Sequence, residues 1–226
     1  MDREAFRRTM RVLEKTYPPE EWASGMTPFE VLVSTVLSQS TTVANERRGM
    51  ERLRAALGEI TPMNVAAASR TDIARAIWHA GLARQKAPRI RAIGRRVASA
   101  WHGDLEAILG LPTDDARRAL MSLPGVGPKT ADVVLAMAGR RAVFPVDTHV
   151  ARIARRWNLT KAFDYGAIRA AFERWTPPEK RIAWHLSVIA HGRTLCKAQR
   201  PLCNLCPVAR DCDWYRARRR RVRNKG

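Results

Sequence analysis

Apolar residues in this chain recur at intervals of three and four, and that spacing points to helices. The clearest case opens at Thr27-Pro28-Phe29-Glu30. Thr27 can cap a helix there, Pro28 suits its first position, and Glu30 completes a capping box. Phe29, Leu32, Val33, Val36 and Leu37 follow at i, i+3, i+4, i+7 and i+8, which predicts one buried stripe. Similar patterns cover 3–16, 44–57, 86–101, 128–138, 147–157, 165–175 and 179–190. Thr61-Pro62, Thr71-Asp72 and Thr113-Asp114 each open a further helix. No segment alternates like a strand over four or more residues. The chain therefore reads as all-α, with about ten helices and short connections.

One of the connections is unusual. Leu123-Pro-Gly-Val-Gly-Pro-Lys-Thr130 places two glycines around a small apolar residue, then a proline that suits the first position of a helix. The backbone N–H groups of such a turn, backed by the helix dipole, form a ready anion site. Lys129 falls in the first turn of that helix, where the positive helix end favours a free amine.

Charge says what the anion is. Lys and Arg number 41 against 21 Asp and Glu, a formal net charge of +20. Nucleic acid is the simplest partner for that excess. The basic run from Arg216 to Lys225 is expected to be a helix end that frays, with phosphate within reach. No apolar run approaches the ~20 residues of a membrane span. The N-terminal Met-Asp-Arg-Glu-Ala-Phe-Arg-Arg lacks a signal-peptide core. A cytoplasmic, nucleoid-associated protein without membrane contact is expected.

All four cysteines lie in one window, Cys196, Cys203, Cys206 and Cys212, spaced C-x6-C-x2-C-x5-C. In an intracellular chain such a cluster points to metal rather than disulfides. Four thiolates can hold zinc or a cubane iron–sulfur cluster, and this spacing favours the cluster. Lys197 and Arg200 lie between the first two ligands, in a basic loop suited to phosphate.

Pro145-Val146-Asp147-Thr148-His149 follows Lys129 by eighteen residues at Asp147. The helix from Pro128 to Ala138 is about 16 Å long, and residues 139–146 span roughly 26 Å when extended. The chain can therefore bring Asp147 back to the end that holds Lys129. Asp147 also reads as an N-cap. A neutral lysine can attack an electrophilic sugar carbon and form a Schiff base, while a carboxylate stabilises positive charge or accepts a proton.

These three motifs together resemble the endonuclease III family of helix-hairpin-helix DNA glycosylases. Leu123 to Leu135, Val146-Asp-Thr-His149 and the cysteine spacing carry the resemblance, which covers about Pro28 to Cys212. It implies a two-domain all-α fold, with a six-helix domain over 23–136 inserted into a cluster domain made of 1–22 and 137–226. It implies a monomer acting on double-stranded DNA that contains damaged bases or abasic sites. Lys129 would attack C1′ and then support β-elimination, with Asp147 assisting. The cysteines would hold a 4Fe–4S cluster. Leu123, Gly125, Val126, Gly127, His149, Lys197 and Arg200 would meet DNA. Gln39, within Ser38-Gln-Ser-Thr41, would enter the gap left by a flipped base, and Leu82, after Gly81, would wedge beside the orphan base.

Thr42, Ala83 and Met121 depart from the family pattern, which often has an acidic residue, an aromatic residue and Glu there. They bear on base preference. Oxidised or ring-saturated pyrimidines are the expected substrates. The alternatives are a related glycosylase for mismatched or alkylated bases and a DNA-binding protein with little catalysis.

Overall fold

The computed structural model describes residues 1–19 and 23–223, and among these every regular element is helical. Two compact units emerge: Met1–Trp22 with Ala142–Gly226, and Ala23–Arg141. The first unit begins with α1 (Arg3–Thr16), which Asp2 caps by accepting from the Ala5 N–H at 2.8 Å.

The second unit contains α2 (Pro28–Leu37), α3 (Val43–Leu57), α4 (Pro62–Ala67), α5 (Arg70–Ala76), α6 (Ala83–Ala100), α7 (Leu105–Leu109), α8 (Thr113–Met121) and α9 (Pro128–Met137). The expected capping box is present: Thr27 N–H donates to Glu30 at 2.9 Å, and Glu30 N–H donates to Thr27 Oγ1 at 3.2 Å. The expected single stripe is not what α2 shows, because every residue from Phe29 to Leu37 is buried. No charge follows Glu30 in this helix. Its two hydroxyls are satisfied internally, Ser34 donating to Glu46 at 2.7 Å and Thr35 to the Val31 carbonyl at 2.7 Å. A helix built this way needs no wet face.

α9 is a second core helix, buried from Thr130 to Ala136 and packed against α2. Its fully buried Asp132 accepts from Arg117 of α8 at 2.7 Å. The C-terminal end of one core helix thus delivers Gln39, and the N-terminal end of the other receives the glycine turn.

Several short features differ from the sequence expectations. α5 is capped by Ser69, which accepts from Asp72 N–H at 3.0 Å, rather than by Thr71. It ends at Ala76, and a 3-10 turn over Trp78–Ala80 completes the approach to Gly81. α6 begins three residues before the predicted 86. α7 escaped the sequence reading, although Asp104 caps it and Leu105, Ile108 and Leu109 are buried at helical spacing. The unit closes at Arg141, whose guanidinium donates to the Leu109 and Leu111 carbonyls at 2.9 and 3.1 Å.

The chain then returns to the first unit with α10 (Thr148–Trp157), α11 (Tyr165–Trp175), α12 (Arg181–Thr194) and α13 (Asp213–Arg223). Phe6 of α1 stands edge-on to Trp157, Phe172, Trp175 and Trp184, with ring centroids 5.6–6.3 Å away. Phe144 stacks on Phe172 at 4.4 Å. Such pairs add about 0.5–1.5 kcal/mol each beyond the area they bury. The arginine run is helical through Arg223, and the expected frayed end at Lys225 lies outside the described residues. Trp214 holds the start of α13, its ring flanked by the Arg156 and Arg218 guanidinium groups at 4.9 and 5.4 Å.

Candidate functional site

The glycine turn lies between α8 and α9. Val126 N–H donates to the Leu123 carbonyl at 3.1 Å, and the Leu123 and Val126 side chains are buried. The Leu123 N–H is likewise engaged, donating to the Leu120 carbonyl at 3.1 Å, so these two residues hold the turn together from inside. Gly125 has φ +73°, a region that favours glycine. A Cβ there would also lie 2.3 Å from Nε and 2.4 Å from Cδ of Arg89. Gly127 differs: it is the N-cap of α9 with extended backbone, and a Cβ there would meet nothing within 4 Å. The helix start therefore opens on free space with no capping side chain, which suits an anion. Lys129 follows, half-buried, in the first turn of α9.

Gln39 and Leu82 belong to the same unit. Gln39 follows α2, half-buried, and its Oε1 accepts from Arg89 Nη1 at 3.1 Å. Leu82 is 49% exposed and holds φ +51° immediately before α6. A left-handed, exposed leucine is strained and wasteful in a fold that needs only a core, and such positions gather at functional sites. Thr42, the family departure, is the N-cap of α3 and accepts from Asn45 N–H at 3.2 Å. Ala83 is buried, whereas Met121 is 41% exposed.

Two residues of α6 were missed by the sequence reading. Lys86 is buried and donates to the Leu37 carbonyl at 2.7 Å and the Ala80 carbonyl at 2.8 Å. These carbonyls end the segments that lead into Gln39 and Leu82. Burial pushes the Lys86 ammonium below its ordinary range. The signal was available: Ala83, Lys86, Ala87 and Ile90 share one face, so a lysine falls on an otherwise apolar stripe. Arg89, one turn further on, had no such signal.

Asp147 belongs to the other unit. It caps α10, its Oδ1 accepting from Val150 N–H at 2.8 Å. His149 is held by Arg152, whose Nη2 lies 2.9 Å from its Nδ1 and also donates to the Gly192 carbonyl at 2.8 Å. Arg152 Nε donates to the Cys196 carbonyl at 2.9 Å. Lys129 and Asp147 thus stand on different units of the chain.

The four cysteines line one cavity of about 340 Å³, counting solvent at its mouth, with Arg156, Trp157, His191 and Trp214 among its walls. Among the described residues no three His, Cys, Asp or Glu side chains are grouped closely enough to hold a metal ion. Burial pushes Cys206 up to about 11 and raises Cys203 and Cys212. Opposing it, backbone N–H groups of Val208 and of Tyr215 and Trp214 favour the thiolates of Cys206 and Cys212. Arg156 Nη1 donates to Cys196 Sγ at 3.0 Å. The same guanidinium donates to the Lys197 and Ala198 carbonyls at 2.8 and 3.1 Å, which fixes the basic loop while Lys197 and Arg200 stay exposed.

The family model for "HhH-GPD superfamily base excision DNA repair protein" matches residues 33–178. Endonuclease III of Thermotoga maritima is 35% identical over 199 residues, which cover 88% of this chain and 89% of that one. The chain belongs to the endonuclease III family. Endonuclease III of Sulfolobus acidocaldarius is 32% identical, over 83% of this chain and 82% of its own. Among solved structures, a trapped endonuclease III–DNA covalent intermediate in an estranged-adenine complex matches with TM-score 0.83 and 30% identity, over 97% of this chain and 99% of that one. The stretch matched by the family model takes in Gln39, Leu82, the glycine turn, Lys129 and Asp147 of this endonuclease III-family chain, and leaves the four cysteines beyond it.

Proposed function

We propose that this chain is a bifunctional DNA glycosylase and AP lyase that removes oxidised or ring-saturated pyrimidines from duplex DNA. One observation carries the proposal. Lys129 occupies the first turn of a core helix directly behind an open glycine turn, in a chain that matches, over 97% of its length, a relative trapped in covalent linkage to DNA.

In this reading the backbone amides at Gly125 and Gly127 bind a DNA phosphate and so set the position of the sugar. The target nucleotide is flipped out, with Gln39 and Leu82 occupying the space it leaves. Asp147 accepts a proton from the Lys129 ammonium, and the amine attacks C1′. The C1′–N bond breaks, and the base leaves with its electron pair and is protonated. The C1′–O4′ bond of this adduct then opens, the nitrogen lone pair forming the C=N bond while O4′ takes a proton, and the resulting protonated imine acidifies the C2′ hydrogen. Loss of that proton breaks the C3′–O bond and releases the 3′ phosphate. Water hydrolyses the imine and frees the lysine. Asp147 also stabilises positive charge developing on the sugar ring.

Cys196, Cys203, Cys206 and Cys212 would hold a 4Fe–4S cluster. The donor set fits: four thiols around one cavity, backbone N–H groups aimed at two of them, and an arginine on a third. Metal binding removes the thiol protons that burial retains. When bound, such a cluster supplies a structural anchor for the basic loop and a one-electron redox centre. No described helix is long and apolar enough to cross a membrane. The protein acts as a monomer on DNA in the cytoplasm, at the nucleoid.

Borohydride trapping on an abasic duplex tests the lyase. Wild type gives a covalent adduct, and Lys129→Gln gives none while still binding the duplex. No adduct from iron-loaded wild type would overturn the proposal. A panel of lesion duplexes tests the substrate: release of adenine or alkylated purines, but not of oxidised pyrimidines, would redirect it.

A further inference from the structure

We infer that Arg89 is a positioning residue that aims the Gln39 carboxamide and thereby sets which base is accepted opposite the lesion. The inference rests on the glycosylase reading above, in which Gln39 fills the gap in the duplex.

One side chain meets two elements that face DNA in that reading. Arg89 Nη1 donates to Gln39 Oε1 at 3.1 Å. Its Nε and Cδ occupy the space that a Cβ on Gly125 would take, at 2.3 and 2.4 Å. Gln39 and Gly125 are 86 residues apart in sequence, and this side chain reaches both. The guanidinium is planar, with its donors in a fixed fork. Once its stem lies along the turn at Gly125, the direction of its N–H bonds is set.

That direction has a chemical consequence. Arginine carries donors and no acceptor. The carbonyl oxygen of Gln39 must therefore face Arg89, which leaves the amide –NH2 as the end free to meet a base. An unrestrained glutamine could turn either end outward and pair with donors or acceptors alike. Held by Arg89, it presents chiefly donors, so opposing bases are distinguished by where they place acceptors.

The mount is rigid. Lys86, three residues earlier on α6, fastens that helix to the Leu37 and Ala80 carbonyls, just before Gln39 and Leu82. Arg89 thus works from a base clamped to both gap-filling segments. A cation that merely attracted phosphate would need none of this geometry and would act alike on every sequence.

The test uses the full-length, iron-loaded protein and duplexes carrying a non-cleavable abasic-site analogue opposite each of the four bases. Dissociation constants are measured for wild type, Gln39→Ala, Arg89→Ala, Arg89→Met and the double variant Q39A/R89A. Arg89→Met keeps an aliphatic stem beside Gly125 and removes only the donors, so it serves if Arg89→Ala perturbs the fold. Each single variant should compress the spread of affinities among opposing bases by about fivefold, the factor for one net hydrogen bond. The double variant should compress it no further, because both changes remove the same interaction. Equal weakening against all four bases, multiplicative effects of Q39A and R89A, or a wild-type spread below about twofold would overturn the inference. Binding needs no turnover, so loss of borohydride trapping in wild type would sink the lyase reading without being mistaken for failure of this one.

Discussion

Replacing Gly125 with alanine perturbs the turn in two separable ways. At φ +73° a side chain strains the backbone by about 1–2 kcal/mol. The new Cβ would also sit 2.3–2.4 Å from Arg89 Nε and Cδ, so the arginine must swing away. Its stem is flexible, so the swing costs chiefly the bond to Gln39, roughly 1 kcal/mol. Gly125→Ala should therefore lose about 2–3 kcal/mol, a fall in melting temperature of roughly 5–10 °C.

Gly127→Ala is the internal control. Its backbone is extended and nothing lies within 4 Å, so melting should hold or rise slightly. A methyl group there nevertheless projects into the space proposed for phosphate, so DNA affinity should fall. Thermal melting by circular dichroism and fluorescence anisotropy on an abasic duplex read the two effects. In the double variant G125A/R89A the steric conflict is gone, and only the strain adds to the loss of Arg89. A Gly125→Ala protein that melts within about 1 °C of wild type would show that neither strain nor Arg89 constrains the turn, and unchanged binding by Gly127→Ala would show that no phosphate sits there.

Three further outcomes are expected. Asparagine caps helices as well as aspartate, so Asp147→Asn should retain the bond to Val150 N–H and melt normally, while single-turnover base release drops by about 100-fold or more; release near the wild-type rate would remove Asp147 from the chemistry. Lys86 holds its proton less tightly folded than unfolded, where the ordinary value is 10.5. Between the lowered folded value and 10.5 the unfolded chain binds more protons, so this group's contribution to stability rises with pH. Wild type should therefore gain stability relative to Lys86→Met in unfolding measured at pH 7 and again near pH 10, and a difference that shrinks would contradict the burial argument. Finally, DNA affinity should fall linearly with salt on logarithmic axes, and removing Lys197 and Arg200 together should flatten the slope by about 2 if each meets one phosphate. An unchanged slope would take that loop off the DNA.

Features that depend on near neighbours can be read directly from the chain. The capping box at Thr27 and Glu30 forms as read, because its partners are three residues apart. Asp147 caps α10 for the same reason. The glycine turn, its lysine and the cysteine spacing were legible as chemistry because each lies within one short window. Where local signals failed, the failures were of period and partner. α2 reads as a striped helix, and only its packing reveals that Val31, Ser34 and Thr35 are buried as well.

The remaining contacts are set by packing between distant segments. The return of the chain after Arg141 to pack Phe144 and Phe172 with Phe6 joins residues that are far apart in sequence. Lys86 bridges to Leu37 across 49 residues, and Arg89 to Gln39 across 50. No periodicity records which distant carbonyl or amide a long side chain will reach, because that choice is made only when the helices pack. The residues proposed to do the chemistry were legible in the chain, whereas the residues that aim them became visible only in the fold.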